Sequence, residues 1–175
     1  MTQLCTLRNL ICLQIPCSST IYTIMKKLRI YLDTSVIGGC FDDEVKGYSN
    51  KLFENIKTGK LIGVLSNIVQ DELLEVPENV KEVILSLPQE NIIRVQSTSE
   101  MEDLTEKDLK EHIVTLKYKN DALHIAIATV LNIEVLVSWN FKHIVNFQKI
   151  KQFNAVNLRE GYSPLEIRTP MEVML

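Results

Sequence analysis

The sequence has no excess of basic residues, no closely paired cysteines and no long uninterrupted apolar run. Its 19 lysines and arginines are outnumbered by 22 aspartates and glutamates, which gives a net charge of −3. No bulk positive field therefore draws the chain to nucleic acid, and any such binding needs a local patch or a metal ion. The 4 cysteines lack the spacing of a zinc site, and a disulfide scaffold is not expected at this size. We therefore expect a reducing compartment, the cytoplasm.

The first 24 residues differ from the rest of the chain. They are mildly apolar, interrupted by Pro16–Ser19, and fit neither a secretory signal nor a membrane span. Met25 precedes the first predicted strand and resembles a natural start. We interpret residues 1–24 as a start-site artefact or a disordered extension, residues 25–160 as one domain, and residues 161–175 as a C-terminal tail. We expect no membrane partner.

Short apolar segments alternate with helical patterns along the domain. Such alternation predicts an α/β domain of three layers, with a central, mostly parallel sheet of four or five strands flanked by helices. The predicted strands are Leu28–Leu32, Leu61–Ser66, Asn91–Val95, Glu134–Ser138 and an edge strand at Ala155–Asn157.

The first strand carries the most informative feature, because Asp33, Thr34 and Ser35 follow it directly. In open α/β sheets, ligands bind beyond the carboxyl ends of the strands. A carboxylate at that place binds a hard metal ion, or binds a phosphate-bearing ligand through such an ion. The alternative is that these residues only cap the next helix. The strand by itself does not decide between the two.

Two further acids can reach the same edge of the sheet. Glu72 lies in the helix after the second strand, and Asp121 lies at the start of the apolar helix before the fourth strand. Three partly buried carboxylates require a cation, and oxygen ligands favour Mg²⁺ or Mn²⁺ over Zn²⁺. Taken singly, Asp121 also fits a plain N-cap, and Glu72 also fits a solvated helix residue like Glu75.

Four segments together resemble the PIN domain, the metal-dependent ribonuclease fold of toxin subunits in bacterial type II toxin–antitoxin pairs. The segments are Ile30–Ile37, Ser66–Glu72, Asn120–Ala128 and Val135–Asn140. The resemblance implies Asp33, Glu72 and Asp121 as the catalytic, metal-binding acids, with Ser35 as a hydroxyl beside the first acid. It also implies an RNA substrate, an antitoxin partner and a homodimer.

One position departs from the family pattern. Asn140 stands where PIN nucleases usually place a fourth acid. An asparagine can ligate through its carbonyl oxygen but adds no charge. We expect Asn140 to position a water or a phosphate oxygen, and Lys142 and His143 to contact the RNA backbone. A surface or packing role is the alternative for His143, and His124 is interpreted either as orienting Asp121 or as an ordinary helix histidine.

The function predicted from these residues is Mg²⁺- or Mn²⁺-dependent hydrolysis of RNA phosphodiester bonds. The alternative is a catalytically weakened PIN module that acts through protein or RNA binding. A phosphatase with Asp33 as nucleophile ranks last, because the second nearby aspartate of such enzymes is missing.

Overall fold

A computed structural model describes residues 27–173 of the 175-residue chain. The interpretation of residues 1–24 lies outside this range. Within it, five strands form one sheet in the order β3-β2-β1-β4-β5, and every neighbouring pair is parallel. The strands are β1 (Leu28–Leu32), β2 (Leu61–Ser66), β3 (Ile92–Val95), β4 (Val135–Val137) and β5 (Glu166–Arg168).

Seven α-helices in the described range flank the sheet and complete the predicted three-layer α/β architecture. They are α1 (Thr34–Gly38), α2 (Lys46–Lys57), α3 (Asn67–Leu74), α4 (Glu78–Leu85), α5 (Ser99–Lys110), α6 (Lys119–Val130) and α7 (Phe147–Arg159). Helix α2 ends where Gly59 adopts a φ of 71°, a conformation that glycine tolerates best.

The core lies on both faces of the central strand. In β1, Ile30, Tyr31 and Leu32 are all fully buried although their side chains alternate between the faces. Every residue of α6 from Ala122 to Thr129 is also buried, so this helix is covered on all sides. Asp121, in the first turn of α6, is thereby held against the protein interior.

The predicted edge strand at Ala155–Asn157 is wrong. These residues belong to α7, because Phe153 and Val156 are buried at helical spacing and Asn146 caps the helix. The fifth strand is Glu166–Arg168, which pairs with β4 from Val135↔Glu166 to Val137↔Arg168. The sheet therefore includes part of residues 161–175, the segment that we interpreted from the sequence as a C-terminal tail.

Candidate metal centre

The carboxyl edge of the sheet brings the first acid next to two neighbouring strands. Asp33 follows β1, and its backbone N–H donates to the carbonyl oxygen of Val137 at the end of β4. Ser66 ends β2, on the other side of β1, and Ser138 follows β4. Because parallel strands end at the same edge, three chain segments deliver polar side chains to one place.

Hydroxyl groups hold the Asp33 carboxylate in a fixed orientation. Ser35 Oγ and Ser138 Oγ both donate to Asp33 Oδ2, the second at 2.7 Å. Ser35 Oγ in turn accepts the Trp139 backbone N–H at 2.9 Å, and Ser138 Oγ accepts the Asn140 N–H at 2.8 Å. With Oδ2 bonded in this way, Oδ1 faces the interior of the site, where His124 lies.

Helix α3 presents Glu72 to the same place. Its N-cap is Ser66, whose hydroxyl accepts the Val69 backbone N–H. Thr34 Oγ1 donates to Glu72 Oε2, and Asn120 Nδ2 lies 3.4 Å from Oε1. The expectation that Glu72 reaches the strand edge therefore agrees with the geometry, whereas neighbouring Glu75 is exposed.

The balance of forces on Glu72 favours its ionised form. Burial opposes ionisation, but the hydrogen bond and charge of His124, with the donors Thr34 and Asn120, outweigh it. The pKa of Glu72 is consequently lowered from its ordinary value. A carboxylate that stays charged in a partly buried place is suited to bind a cation.

His124 is the residue whose place in the site the sequence left open. Its imidazole is 1% exposed, and Nε2 lies 3.4 Å from Glu72 Oε1 and 3.8 Å from Asp33 Oδ1. Burial tends to lower the pKa of His124, but the bond to Glu72 and the surrounding acids raise it overall. The sequence signal was its position three residues after Asp121, on the same side of α6.

Asp121 lies beside Asp33, Glu72 and His124 but is not in the set whose ligand atoms lie closest together. Among the described residues, one ligand atom each of Asp33, Glu72 and His124 lies within 4.8 Å of the others, and Asp121 is not in that set. Burial, followed by the charge of Asp33, raises the pKa of Asp121 to about 6. Asp121 does not cap α6 either, because the N-cap position is Tyr118.

Asn140 is held between two partners. Its Nδ2 donates to Asp121 Oδ1 at 3.0 Å, and its Oδ1 accepts the His143 backbone N–H at 3.0 Å. Both ends of the amide are thus engaged. In this arrangement the side chain orients Asp121 and closes the loop after β4.

Lys142 and His143 lie beside Tyr118, outside the acidic group. The His143 ring stacks on the Tyr118 ring with centroids 3.7 Å apart, and Lys142 Nζ lies 5.4 Å from the Tyr118 centroid. The His143 side chain is buried and Nδ1 lies 2.9 Å from Lys149 Nζ. Burial, followed by Lys149 and Lys142, lowers the pKa of His143, so its ring stays neutral near pH 7.

The donor set fits a divalent cation. Two carboxylates and one imidazole are ordinary ligands, and their separations match groups that share one ion. The side chains of Asp33 and Glu72 are 7% and 30% exposed, so a binding site here is recessed but reachable. The geometry allows metal-assisted attack on a phosphate ester.

No protein-family model matches the chain, and a search of curated proteins also gave no match. Within residues 27–173, no helix has the length and apolar character needed to cross a membrane. A similar solved structure is that of VapBC2 from Rickettsia felis bound to a DNA fragment from their promoter. The alignment has a TM-score of 0.51 and 16% identity, and it covers 81% of this chain and 98% of that chain. The shared fold confirms the predicted PIN-like, three-layer α/β arrangement.

Proposed function

We propose that the protein is a metal-dependent endoribonuclease of the PIN type, related in function to bacterial toxins. The observation that carries the proposal is the convergence of Asp33, Glu72 and His124, with Asp121 beside them, at the carboxyl edge of a parallel sheet. Buried acids that keep their charge are costly unless hydrogen-bond donors or a cation stabilise them, and three such groups at one place favour a cation. Solvated helix acids or simple caps would not need to meet in this way.

The chain's own residues divide the work of phosphodiester hydrolysis. Asp33 and Glu72 would hold Mg²⁺ or Mn²⁺, oriented by Ser35 and Thr34. When bound, the ion supplies a Lewis acid that neutralises charge on the phosphate and orients the attacking water. Asp121 completes the acidic set and would accept the proton of that water.

Single-stranded RNA is the substrate that the neighbouring surface favours. Between Glu134 and Glu160 the sequence contains no acidic residue, so this segment is locally basic in a chain of negative net charge. Phe141 and Phe147 on it are 58% and 72% exposed. Exposed aromatic rings among lysines are typical of surfaces that stack the bases of single strands.

Within this segment Lys142 would contact the RNA backbone. It is exposed and lies two residues after Asn140, which bonds Asp121. His143 would support this contact by stacking on Tyr118, over which Lys142 is placed. Positive charge close to the acidic group would seat the phosphate whose ester bond is cleaved.

An antitoxin-like protein segment is the proposed partner, in the reducing cytoplasm. Leu74 and Leu85 are 74% and 73% exposed on the consecutive helices α3 and α4. Both leucines line one surface groove, which such a partner segment would cover. A homodimer is the alternative occupant, and light scattering of the purified chain would distinguish the two.

A weakened module that binds without cleaving is the second candidate function. The specific observation in its favour is that the Asn140 amide donates to Asp121 and accepts the His143 N–H. It therefore adds no charge to the metal group, and its carbonyl oxygen already accepts one hydrogen bond. Such a protein would bind RNA or a partner but hold its ion less tightly.

The deciding experiment incubates the full chain with a mixed pool of single-stranded RNA and Mn²⁺. The Asp33→Asn variant and an EDTA sample test the site, and Glu54→Gln, an exposed acid on α2, is the matched control. We expect cleavage by the wild type and Glu54→Gln only. Cleavage that survives in Asp33→Asn would contradict the proposal, and binding without cleavage would favour the weakened module.

A further inference from the structure

We propose that Nε2 of His124 is a direct ligand of the divalent ion, which makes this a mixed nitrogen–oxygen site that prefers Mn²⁺ to Mg²⁺. The inference rests on the metal-dependent function proposed above and goes beyond it, since the resemblance implies carboxylates alone. It replaces the two readings of His124 as an orienting residue or an ordinary helix histidine. Three observations carry it.

The first observation is the spacing of the donor atoms. Ligands about 2.0–2.2 Å from one ion lie about 3–4 Å apart at the usual bond angles. His124 Nε2 is 3.4 Å from Glu72 Oε1 and 3.8 Å from Asp33 Oδ1. One ion between these atoms would therefore need little rearrangement of the described side chains.

The second observation is the hydrogen-bond chain behind the imidazole. His124 Nδ1 lies 2.7 Å from the Tyr31 hydroxyl, which lies 2.6 Å from Ser66 Oγ. With Nδ1–H donating to Tyr31 and Tyr31 donating to Ser66, Nε2 faces the two acids, and a bound ion would replace the Nε2 proton that bonds Glu72 in the ion-free protein. Metal-binding histidines usually donate their second N–H in this manner, which fixes the tautomer and the ring orientation.

The third observation is that the hydrogen-bond chain from Ser66 through Tyr31 to His124 is buried. Tyr31 and Ser66 are fully buried and His124 is 1% exposed. Ser66 also caps α3, the helix that carries Glu72, by accepting the Val69 N–H. The imidazole and the Glu72 carboxylate are thus positioned by one hydroxyl, which makes Tyr31 and Ser66 positioning residues for the site.

The nitrogen donor sets the preference among ions. Mg²⁺ binds oxygen ligands and retains water, whereas imidazole is a common ligand of first-row transition metals. Replacing the family's fourth acid by Asn140 removes an oxygen donor from the edge of the site. Both features move the donor set away from what Mg²⁺ requires and towards first-row transition metals, a series that begins in affinity with Mn²⁺.

The test uses pulsed electron paramagnetic resonance on the full chain with bound Mn²⁺, which detects a directly bound imidazole nitrogen. Thermal melting with Mn²⁺ or Mg²⁺ gives the relative affinities. The variants are His124→Asn and Tyr31→Phe, and His112→Asn is the control, because His112 is exposed and its φ of 55° suits asparagine.

We expect a nitrogen coupling in the wild type and in His112→Asn, and its loss in His124→Asn together with the preference for Mn²⁺. Tyr31→Phe should retain the coupling but weaken Mn²⁺ binding by about tenfold. Should His124→Asn fail to fold, the wild-type spectrum and Tyr31→Phe still decide. Bound Mn²⁺ without nitrogen coupling would overturn this inference alone, whereas failure of the wild type to bind any ion would overturn the proposed function as well.

Discussion

Two buried aspartates of this domain have opposite surroundings. Asp33 is 5% exposed and receives hydrogen bonds from Ser35 and Ser138. Asp108 on α5 is 0% exposed, and within the described residues neither of its carboxylate oxygens has a hydrogen-bond partner. Burial raises the pKa of Asp108 to about 7, which the charge of Arg159 only partly opposes.

The comparison shows that two buried carboxylates of one domain differ in the hydrogen-bond donors that reach them. Hydroxyl donors and a nearby imidazole stabilise negative charge, and a cation can then bind to it. A carboxyl group without such partners takes up a proton instead and behaves as a neutral packing group.

Among changes to the acidic group around Asp33, Glu72→Gln should have the largest effect on RNA cleavage. Removing this charge should lower Mn²⁺-dependent RNA cleavage at least about 100-fold, because a metal ion contributes several kcal/mol and each tenfold change in rate corresponds to about 1.4 kcal/mol. Glu75→Gln, three residues along and exposed, is the control and should cleave at the wild-type rate. Equal rates for the two variants in a single-turnover assay would remove Glu72 from the site.

Gly39→Ala should disturb the packing of Trp139, which positions the Ser35 hydroxyl beside Asp33. A Cβ at Gly39 would lie 2.6 Å from Ser49 Oγ and 2.8 Å from the Trp139 ring, and the Trp139 N–H holds the Ser35 hydroxyl that donates to Asp33. We expect a loss of about 1–3 kcal/mol in the free energy of unfolding, as overpacking generally causes. Urea unfolding measures it. Gly38→Ala, which meets nothing within 4 Å, should keep or slightly raise stability, because alanine at a helical φ loses less conformational freedom than glycine on folding. A similar loss in both variants would contradict the packing explanation.

Asp108→Asn should remove the pH dependence of stability that the second aspartate causes. Between pH 4 and pH 7 the native wild type keeps the Asp108 proton that the unfolded chain has released, so its stability falls as pH rises. Asparagine does not titrate, and the variant should lack this slope and exceed the wild type by about 1–3 kcal/mol at pH 8. Urea unfolding at pH 5 and pH 8 tests it. Parallel curves for the two proteins would show that Asp108 is not protonated when folded.

The smallest effect is expected from Asn140→Asp. The added carboxylate would face Asp121, to which Asn140 now donates at 3.0 Å, so repulsion should lower the melting temperature by a few degrees without metal. A bound cation relieves that repulsion, and the rise in melting temperature on adding Mn²⁺ should exceed that of the wild type. A smaller rise would show that position 140 does not face the metal group.

The sequence was sufficient for features that depend on local pattern. Four strands, the apolar helix α6 and the position of Asp33 after β1 followed from apolar runs and the residues that end them. Glu72 did not, because its local pattern also fitted a solvated helix residue. The edge strand at 155–157 failed because Ala155, Val156 and Asn157 fit a short strand as well as one face of a helix. Only the distant pairing of β5 with β4 decides between them.

His124 shows why the site could not be completed from sequence. One histidine in an apolar helix has no distinctive local signal, and its function depends on Tyr31 and Glu72, which lie 93 and 52 residues away. The two ends of Asn140 likewise meet Asp121 and His143 only after folding. Contacts between distant side chains are set by packing rather than by spacing along the chain.

Calorimetric titration of Mn²⁺ into the wild type and into Asp33→Asn tests the central claim most directly. If Asp33 and its hydroxyl donors form the metal centre, the wild type should bind Mn²⁺ and the variant, which keeps the size of the side chain but not its charge, should show binding weakened at least about tenfold. Equal binding by both proteins would place the ion elsewhere and contradict the account.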